Sequence, residues 1–493
     1  MKHIRIIPVL IILFCVWVID SGNLRAQEEK SYHMNQKRRE QLMEEIGDGM
    51  AIMMSAPVKK RNGSVNYPYR QRSSFYYLTG FKQPHSAFII QPGEEHEFVM
   101  FLPSKDQADN VYTVQQYGLQ DAMETFNADT AYPVEMFEGF LRQQMQHHDV
   151  LIMDPEDETL LEVMDGLRAS GNLADIDAIK NVNNIIHEMR LYKDSYEIRQ
   201  LKKAVNTTEQ AHVEAMKAVH PGMFEYEAEA LVEYVFRKNG ASGPGFPSII
   251  ASGSNATILH YNKNNRKIRE GDLLLMDIGA EYKMYTADVT RTIPANGTFS
   301  REQKDIYRLV LKALQEASKE LVPGKGLYLA HHKATDIIIN GLHELGLVTD
   351  PTSEWQRKLY TLYPINHWLG LDVHDVGYYG ENNIHDNRGE MVNKQVEGRI
   401  LQPGMVLTIE PGIYLQEDRL EKLNLLLDDE VPQSDIKSFI RKVKPVYEKY
   451  KGIGIRIEDD ILITEEGNEI LSGKAPKTIK AIEYLMKDNG RNN

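Results

Sequence analysis

The sequence predicts an α/β domain over residues 28–178 followed by an α+β domain over 179–487. Three observations carry this expectation. The chain has 493 residues, and at about 100–200 residues per domain two is the first count to try. In the first part, short apolar runs alternate with helical periodicity, as strands interleaved with helices do. In the second part, two long amphipathic helices are followed by strands and helices that keep no βαβ rhythm.

The elements follow in chain order. Lys2, His3 and Arg5 make a basic start, the run from Ile6 to Ile19 is apolar and broken by Pro8, and Leu24-Arg25-Ala26 closes the segment. That is the layout of a secretory signal peptide over residues 1–26, cleaved after Ala26. The apolar run is shorter than the about 20 residues a membrane span needs. A secreted or periplasmic location is expected, with an uncleaved N-terminal membrane anchor as the alternative. Residues 32–46 read as a charged helix, Met50–Met54, Ala87–Ile90, Glu97–Leu102 and Val150–Met153 as strands, and Asp157–Ala169 as a helix. Helices are expected over 194–219 and 224–239, broken by Pro221-Gly222, and later over 301–321 and 327–345. Strands are expected at Leu273–Gly279, Thr286–Thr292, Met405–Ile409 and Gly454–Ile463. The charged stretch Gln416–Lys451 reads as an inserted helical or loop excursion.

Composition narrows the function. Apolar residues make up 42% and charged residues 26%, which suits a soluble globular chain with a sizeable core. A net charge of −14 argues against nucleic acid as a partner, because phosphate binding needs a basic face. The one cysteine, Cys15, lies inside the N-terminal apolar run. A chain processed after Ala26 therefore has no disulfide, thiolate zinc site or cysteine nucleophile. His187-Glu188 and His343-Glu344 do not extend to a His-Glu-x-x-His zinc motif, and Pro323-Gly324-Lys325-Gly326 lacks the glycine spacing of a phosphate-binding loop. No Gly-x-Ser-x-Gly nucleophile elbow is present.

Four segments carry chemistry. The strand from Leu273 ends in Asp277, and a buried carboxylate is costly unless it is paired or bound to a metal. A tight turn centred on Tyr282-Lys283 would set Asp277 directly opposite Asp288, with Cβ atoms about 4.5–5.5 Å apart. Two like charges that close need a cation or a proton between them. The spacing points to a shared divalent metal, with two solvated aspartates on a surface hairpin as the alternative. His367 and His374 lie in a glycine-containing apolar stretch with acidic neighbours. The residues alone leave open which of them is a ligand. Glu410 ends another apolar strand before Pro411-Gly412, and strict alternation puts Arg456, Glu458 and Asp460 on one face. Taken together, these carboxylates and one imidazole suit two hard or borderline ions such as Mn²⁺, Co²⁺ or Zn²⁺ about 3.5–4 Å apart.

These motifs identify a resemblance. The chain resembles the pita-bread metallopeptidases and, within them, the aminopeptidase P (Xaa-Pro aminopeptidase) family. The likeness covers most of the mature chain: Arg70-Gln71-Arg72-Ser73-Ser74-Phe75-Tyr76-Tyr77-Leu78-Thr79-Gly80-Phe81 resembles the family's N-domain signature, and the metal motifs follow in family order. The resemblance implies a pita-bread catalytic domain with Asp277 on one metal, Asp288 and Glu458 bridging both, and His367 and Glu410 on the other. Glu410 would also manage the proton of a metal-bridging hydroxide. His374 would bind substrate and stabilise the tetrahedral intermediate, His260 would lie near the scissile nitrogen, and Arg456 and Tyr414 would support the ligands or line a proline pocket. The implied substrates are peptides with Xaa-Pro N-termini, and the implied metal is manganese, with cobalt often substituting. Relatives are often homodimers or homotetramers.

The sequence departs from the family at three places. Tyr363-Pro364-Ile365-Asn366 stands where many relatives have another histidine and a glycine, which concerns a peripheral substrate contact. Gln416–Lys451 is longer than the family's loop and would shape access or an oligomer interface. Tyr112 stands where some relatives place a tryptophan that reaches a neighbouring subunit. The near rival is a prolidase, which takes only Xaa-Pro dipeptides. The rival of another class is a pita-bread binding module that has lost its metal ligands, whereas all five are present here.

Overall fold

The structure is a computed structural model that describes residues 32–103, 117–169, 178–380, 398–423, 427 and 431–487. The expected signal segment 1–26, with Cys15, and Tyr112 lie outside the described residues. The chain divides into two compact units, Met1–Arg190 and Leu191–Asn493.

The first unit is built on a mixed sheet behind a helix, α1, over residues 32–46. Its strands are β1 (Met50–Met54), β2 (Ala87–Ile90), β3 (Phe98–Leu102), β4 (Thr130–Pro133), β5 (Val150–Met153) and β6 (Ala178–Asn181), in the order β4-β3-β2-β1-β5-β6. The β1–β2 and β2–β3 pairs are antiparallel, while β3–β4, β1–β5 and β5–β6 are parallel. One face buries Met50, Ile52, Ile89, Val99 and Phe101 against Leu160, Met164 and Leu167 of α3 (Glu158–Ala169). The aromatic-rich signature forms a short helix, α2 (Ser73–Thr79), whose seven residues are all buried. Aromatic residues are poor helix formers; here burial decides, with Phe75 packed on Phe88 at 5.0 Å between ring centroids.

The second unit opens with α4 (Ser195–Ala218) and α5 (Glu225–Lys238). Asp194 caps α4: its carboxylate accepts from the amides of Tyr196 and Glu197 at 2.7 and 3.0 Å, while its own N–H donates to Glu197. Next come the strands β7 (Ile249–Ser252), β8 (Leu273–Ile278), β9 (Ala280–Tyr282), β10 (Tyr285–Thr286) and β11 (Val289–Pro294). The helices α6 (Arg301–Ala317) and α7 (Tyr328–Glu344) follow, and then β12 (Val406–Ile409) and β13 (Gly412–Tyr414). The unit closes with α8 (Gln433–Tyr450), β14 (Gly454–Arg456), β15 (Asp459–Thr464), β16 (Gly467–Ile470) and a last helix, Ile479–Lys487. The sheets β7-β8-β11 and β12-β15-β16 and the pair β13-β14 are all antiparallel.

Two expectations need correction. The hairpin turns on Lys283-Met284, not Tyr282-Lys283: both residues have positive φ (49° and 74°) between the paired Tyr282 and Tyr285. Asp277 therefore lies opposite Thr290, not Asp288. The slip is two residues, and because side chains alternate with a period of two, the acidic pair still shares a face. The expected strands Thr286–Thr292 and Gly454–Ile463 are each broken, at Ala287-Asp288 and at Ile457-Glu458, and the breaks free these carboxylates from regular pairing. Within the stretch 416–451, read as helical or loop, the described residues 433–450 form the helix α8. Ile436, Phe439, Val443, Tyr447 and Tyr450 of α8 recur at helical spacing and belong to the main core.

Candidate metal centre

Five segments of the second unit deliver the expected ligands to one place. The end of β8 supplies Asp277, and the break before β11 supplies Asp288. Gly279 makes this crossing possible: a Cβ there would lie 1.8 Å from the Ala287 carbonyl oxygen. The segment 365–369 runs beside β12, with Thr408 N–H donating to the His367 carbonyl at 2.9 Å and Glu410 N–H to that of Ile365 at 2.9 Å. These bonds fix His367 and Glu410 on neighbouring chains. Glu458 sits at the break between β14 and β15, where its N–H donates to the Thr290 carbonyl at 3.1 Å.

The side chains converge. Ligand atoms of Asp288, His367 and Glu458 all lie within 4.8 Å of one another, and all three residues are buried. His367 Nε2 stands 3.4 Å from Asp288 Oδ2 and 3.6 Å from Glu410 Oε1. Its Nδ1 lies 3.1 Å from the Trp368 carbonyl oxygen. Donation there fixes the tautomer and turns the Nε2 lone pair toward the carboxylates, the arrangement of a metal-ligating histidine. Asp277 is held from behind by Arg456. Burial, then the charges of Glu458 and Asp277, push the Asp288 carboxyl well above its ordinary range. Burial followed by Glu410 and Asp277 does the same to Glu458. Glu410 is raised too, first by burial. Oδ1 of Asp277 and Oδ1 of Asp288 are buried with no hydrogen-bond partner. Orphaned acceptors among crowded carboxylates lack positive charge, and the oxygen-rich set with one imidazole fits divalent ions.

A cavity of about 190 Å³ opens on the cage and is lined by Asp277, Asp288, His260, His374, Phe246 and Val373, among others. The His374 ring lies 4.3 Å from that of His367, centroid to centroid. Burial and the neighbouring His260 lower its pKa. Arg456 Nη1 donates to the Tyr414 hydroxyl at 2.8 Å and Nε to Thr290 Oγ1 at 3.1 Å. Tyr414 meets the Tyr363 hydroxyl at 2.8 Å, and Tyr363 also hydrogen-bonds the Glu410 carbonyl oxygen at 2.9 Å. Burial raises both phenols, so each stays protonated at neutral pH. Tyr363, read from the sequence as a peripheral departure, is part of this chain of contacts.

Several supporting residues escaped sequence reasoning because their partners are distant in the chain. Thr290 Oγ1 donates to Glu458 at 2.6 Å. Asp460 accepts from the Asp288 N–H at 3.1 Å, and the alternation Arg456-Glu458-Asp460 was its one sequence signal. On the other side of β11, Arg291 donates to the Glu458 carbonyl at 2.5 Å and to Asp459 at 2.9 Å, and Lys477 pairs with Asp459 as well. Lys193 and Asp375, each 1% exposed in the side chain, pair at 3.0 Å and anchor the loop that carries His374.

Comparison with known proteins agrees with this geometry. Residues 199–465 match metallopeptidase family M24, and residues 35–153 match the aminopeptidase P N-terminal domain. The chain belongs to metallopeptidase family M24. As an M24 metallopeptidase it has an aminopeptidase-P-type α/β domain followed by the pita-bread catalytic domain, and its metal-binding residues are in place. It is 37% identical over 458 residues to the Xaa-Pro aminopeptidase of Haemophilus influenzae, a match covering 92% of this chain and 96% of that one. The structure of an aminopeptidase from Pseudomonas aeruginosa is similar with a TM-score of 0.81 and 35% identity, over 93% of this chain and 98% of that one. A zinc-substituted Escherichia coli aminopeptidase P in complex with product is similar with a TM-score of 0.81 and 34% identity, over 94% of this chain and 99% of that one.

Proposed function

We propose that this chain is a dinuclear metal-dependent Xaa-Pro aminopeptidase, which hydrolyses the first peptide bond of peptides with proline second. The observation that carries the proposal is the 190 Å³ cavity in which His260 and His374 face Asp277 and Asp288. It is supported by the kinship with Xaa-Pro aminopeptidases of Haemophilus influenzae and Escherichia coli. Asp277, Asp288, His367, Glu410 and Glu458 would hold two divalent ions. When bound, the ions supply Lewis-acid activation of water and of the scissile carbonyl. Glu410 takes the proton of the attacking water and passes it to the departing amine. His374 donates to the oxygen on which charge develops. His260 stands by the scissile nitrogen, a tertiary amide when proline is second and so without an N–H. Arg456 and Tyr414 hold Asp277 and the wall of the cavity in register.

Manganese is the proposed working ion, with Co²⁺ or Zn²⁺ able to substitute. We also propose a homodimer or homotetramer, and export of the chain directed by residues 1–26. Intact mass of the protein from its source cells tests the export step: retention of Met1 through Ala26 on a soluble protein would remove it. The activity is tested by mass spectrometry of peptide digests with Mn²⁺, varying residue two and peptide length. Release of the first residue from Xaa-Pro-Xaa peptides, and not from matched Xaa-Ala-Xaa peptides, is expected. The chain is also 29% identical over 478 residues to a human Xaa-Pro dipeptidase, so cleavage of Xaa-Pro dipeptides alone would shift the assignment to prolidase. No cleavage with Mn²⁺, Co²⁺ or Zn²⁺ would end the enzyme reading.

A further inference from the structure

We propose that the open groove walled by residues 255–266 holds the part of the peptide downstream of proline, and that Lys263 selects for a carboxylate there. The inference rests on the aminopeptidase reading. The metal cavity, at about 190 Å³, is smaller than the roughly 300–1,000 Å³ that binds a drug-sized ligand, so a longer peptide must continue elsewhere. The groove, about 530 Å³ in volume, adjoins the cavity because His260 and Asn262 line both. A chain leaving the cavity past His260 enters it directly.

The groove is built in advance. Glu225, fully buried, accepts from Ser252 N–H at 2.7 Å, Asn255 Nδ2 at 3.1 Å, the Tyr261 hydroxyl at 2.7 Å and Arg266 N–H at 2.8 Å. Asn264, at φ 44°, ties the loop to β7 by accepting from Ile250 N–H at 3.0 Å and donating to the Ser248 carbonyl at 2.8 Å. These anchors leave Asn262, Lys263 and Asn265 exposed on the groove side. Side-chain amides both donate and accept, which suits a peptide backbone.

The charge is specific. Arg266 is neutralised by Asp272, with contacts at 2.5 and 3.3 Å. Lys263 is exposed and forms no ion pair with any described residue. In a chain of net charge −14, it is a local positive point beside the path of the peptide. Its complement is a carboxylate, either the free C-terminus of a short peptide or an acidic side chain at the third or fourth position.

The test compares wild type, Lys263→Met and Lys263→Glu on three Xaa-Pro-Xaa substrates: free acid, C-terminal amide, and amide with glutamate third. Wild type should favour at least one carboxylate-bearing substrate over the neutral amide by about threefold to fivefold in kcat/KM, carried by KM and weakened by salt. Lys263→Met should abolish the preference, and Lys263→Glu should invert it. Which carboxylate responds identifies the source. Equal ratios in wild type and Lys263→Glu would overturn the groove assignment while leaving the aminopeptidase intact. Failure of wild type to cleave any of the three would instead overturn the aminopeptidase reading, and the groove assignment with it.

Discussion

Glu458 and Asp459 are neighbours in the chain and both are buried, yet their environments are opposite. Glu458 takes Thr290 from one face of β11 and joins other carboxylates, which together with burial raise it. Asp459 takes Arg291 from the other face, with Lys477 and Ser472 Oγ; burial pushes its carboxyl up, but the two cations outweigh that and hold it low. One side of the strand is a closed account of charge and the other is open. A buried carboxylate that is satisfied holds the fold, whereas a crowd of carboxylates that includes the orphaned oxygens of Asp277 and Asp288 holds a place for something else.

This contrast can be broken most sharply at His367. His367→Ala should lose several kcal/mol of transition-state stabilisation, a fall of about 10³-fold in kcat/KM. Metal content by mass spectrometry should fall with it while the circular dichroism spectrum is kept. Retained activity and metal would show that the open side is not the centre. The closed side should answer in the other currency. Asp459→Ala leaves Arg291 and Lys477 without their counter-charge, and should cost about 3–5 kcal/mol in denaturant unfolding. Arg456 lies between the two behaviours, since it is structural in its contacts and functional in its target, Asp277. Arg456→Lys cannot reproduce three directed N–H contacts, and should lower kcat/KM about 10–100-fold with little change in melting temperature.

The smallest effect is in pH. The raised carboxyls of Asp288, Glu458 and Glu410, the last pushed up to about 8, bind more protons folded than unfolded. Their contribution to stability is greatest below the ordinary carboxylate range and is lost as pH rises toward about 8. Asp459, depressed, contributes above that range and loses its contribution in acid. Metal-free protein should therefore lose at least about 1 kcal/mol between pH 5 and 8, and saturating Mn²⁺ should remove the decline. Calorimetry with and without the ion decides; identical profiles would mean that the carboxylates repel too weakly to need a cation.

The ligand-bearing strands were legible because a carboxylate at the end of an apolar run stands out locally. Asp277, Glu410 and the alternation at Arg456-Glu458-Asp460 all carry that mark, and the structure brings them together with Asp288 and His367. Register was not legible. Neither Lys283 nor Met284 has the chemistry of a left-handed turn residue, so nothing in the sequence favoured the true centre over its neighbour. The helix at 433–450 lay within a stretch read as helical or loop, because the dense charge around it blurred its apolar spacing. Pairs such as Lys193 with Asp375 and Arg291 with Asp459 join residues more than a hundred positions apart, and such pairings are set by tertiary packing alone.

The turn at Lys283-Met284 offers a practical handle. Two residues with side chains occupy backbone angles that cost L-residues roughly 1–2 kcal/mol each, at the tip of the hairpin that sets Asp277 and Asp288. Replacing the half-buried Lys283 with Asn, which tolerates these angles, would relax the hairpin while keeping the buried Met284 in place. The hairpin that carries Asp277 and Asp288 would then keep its register to a higher temperature.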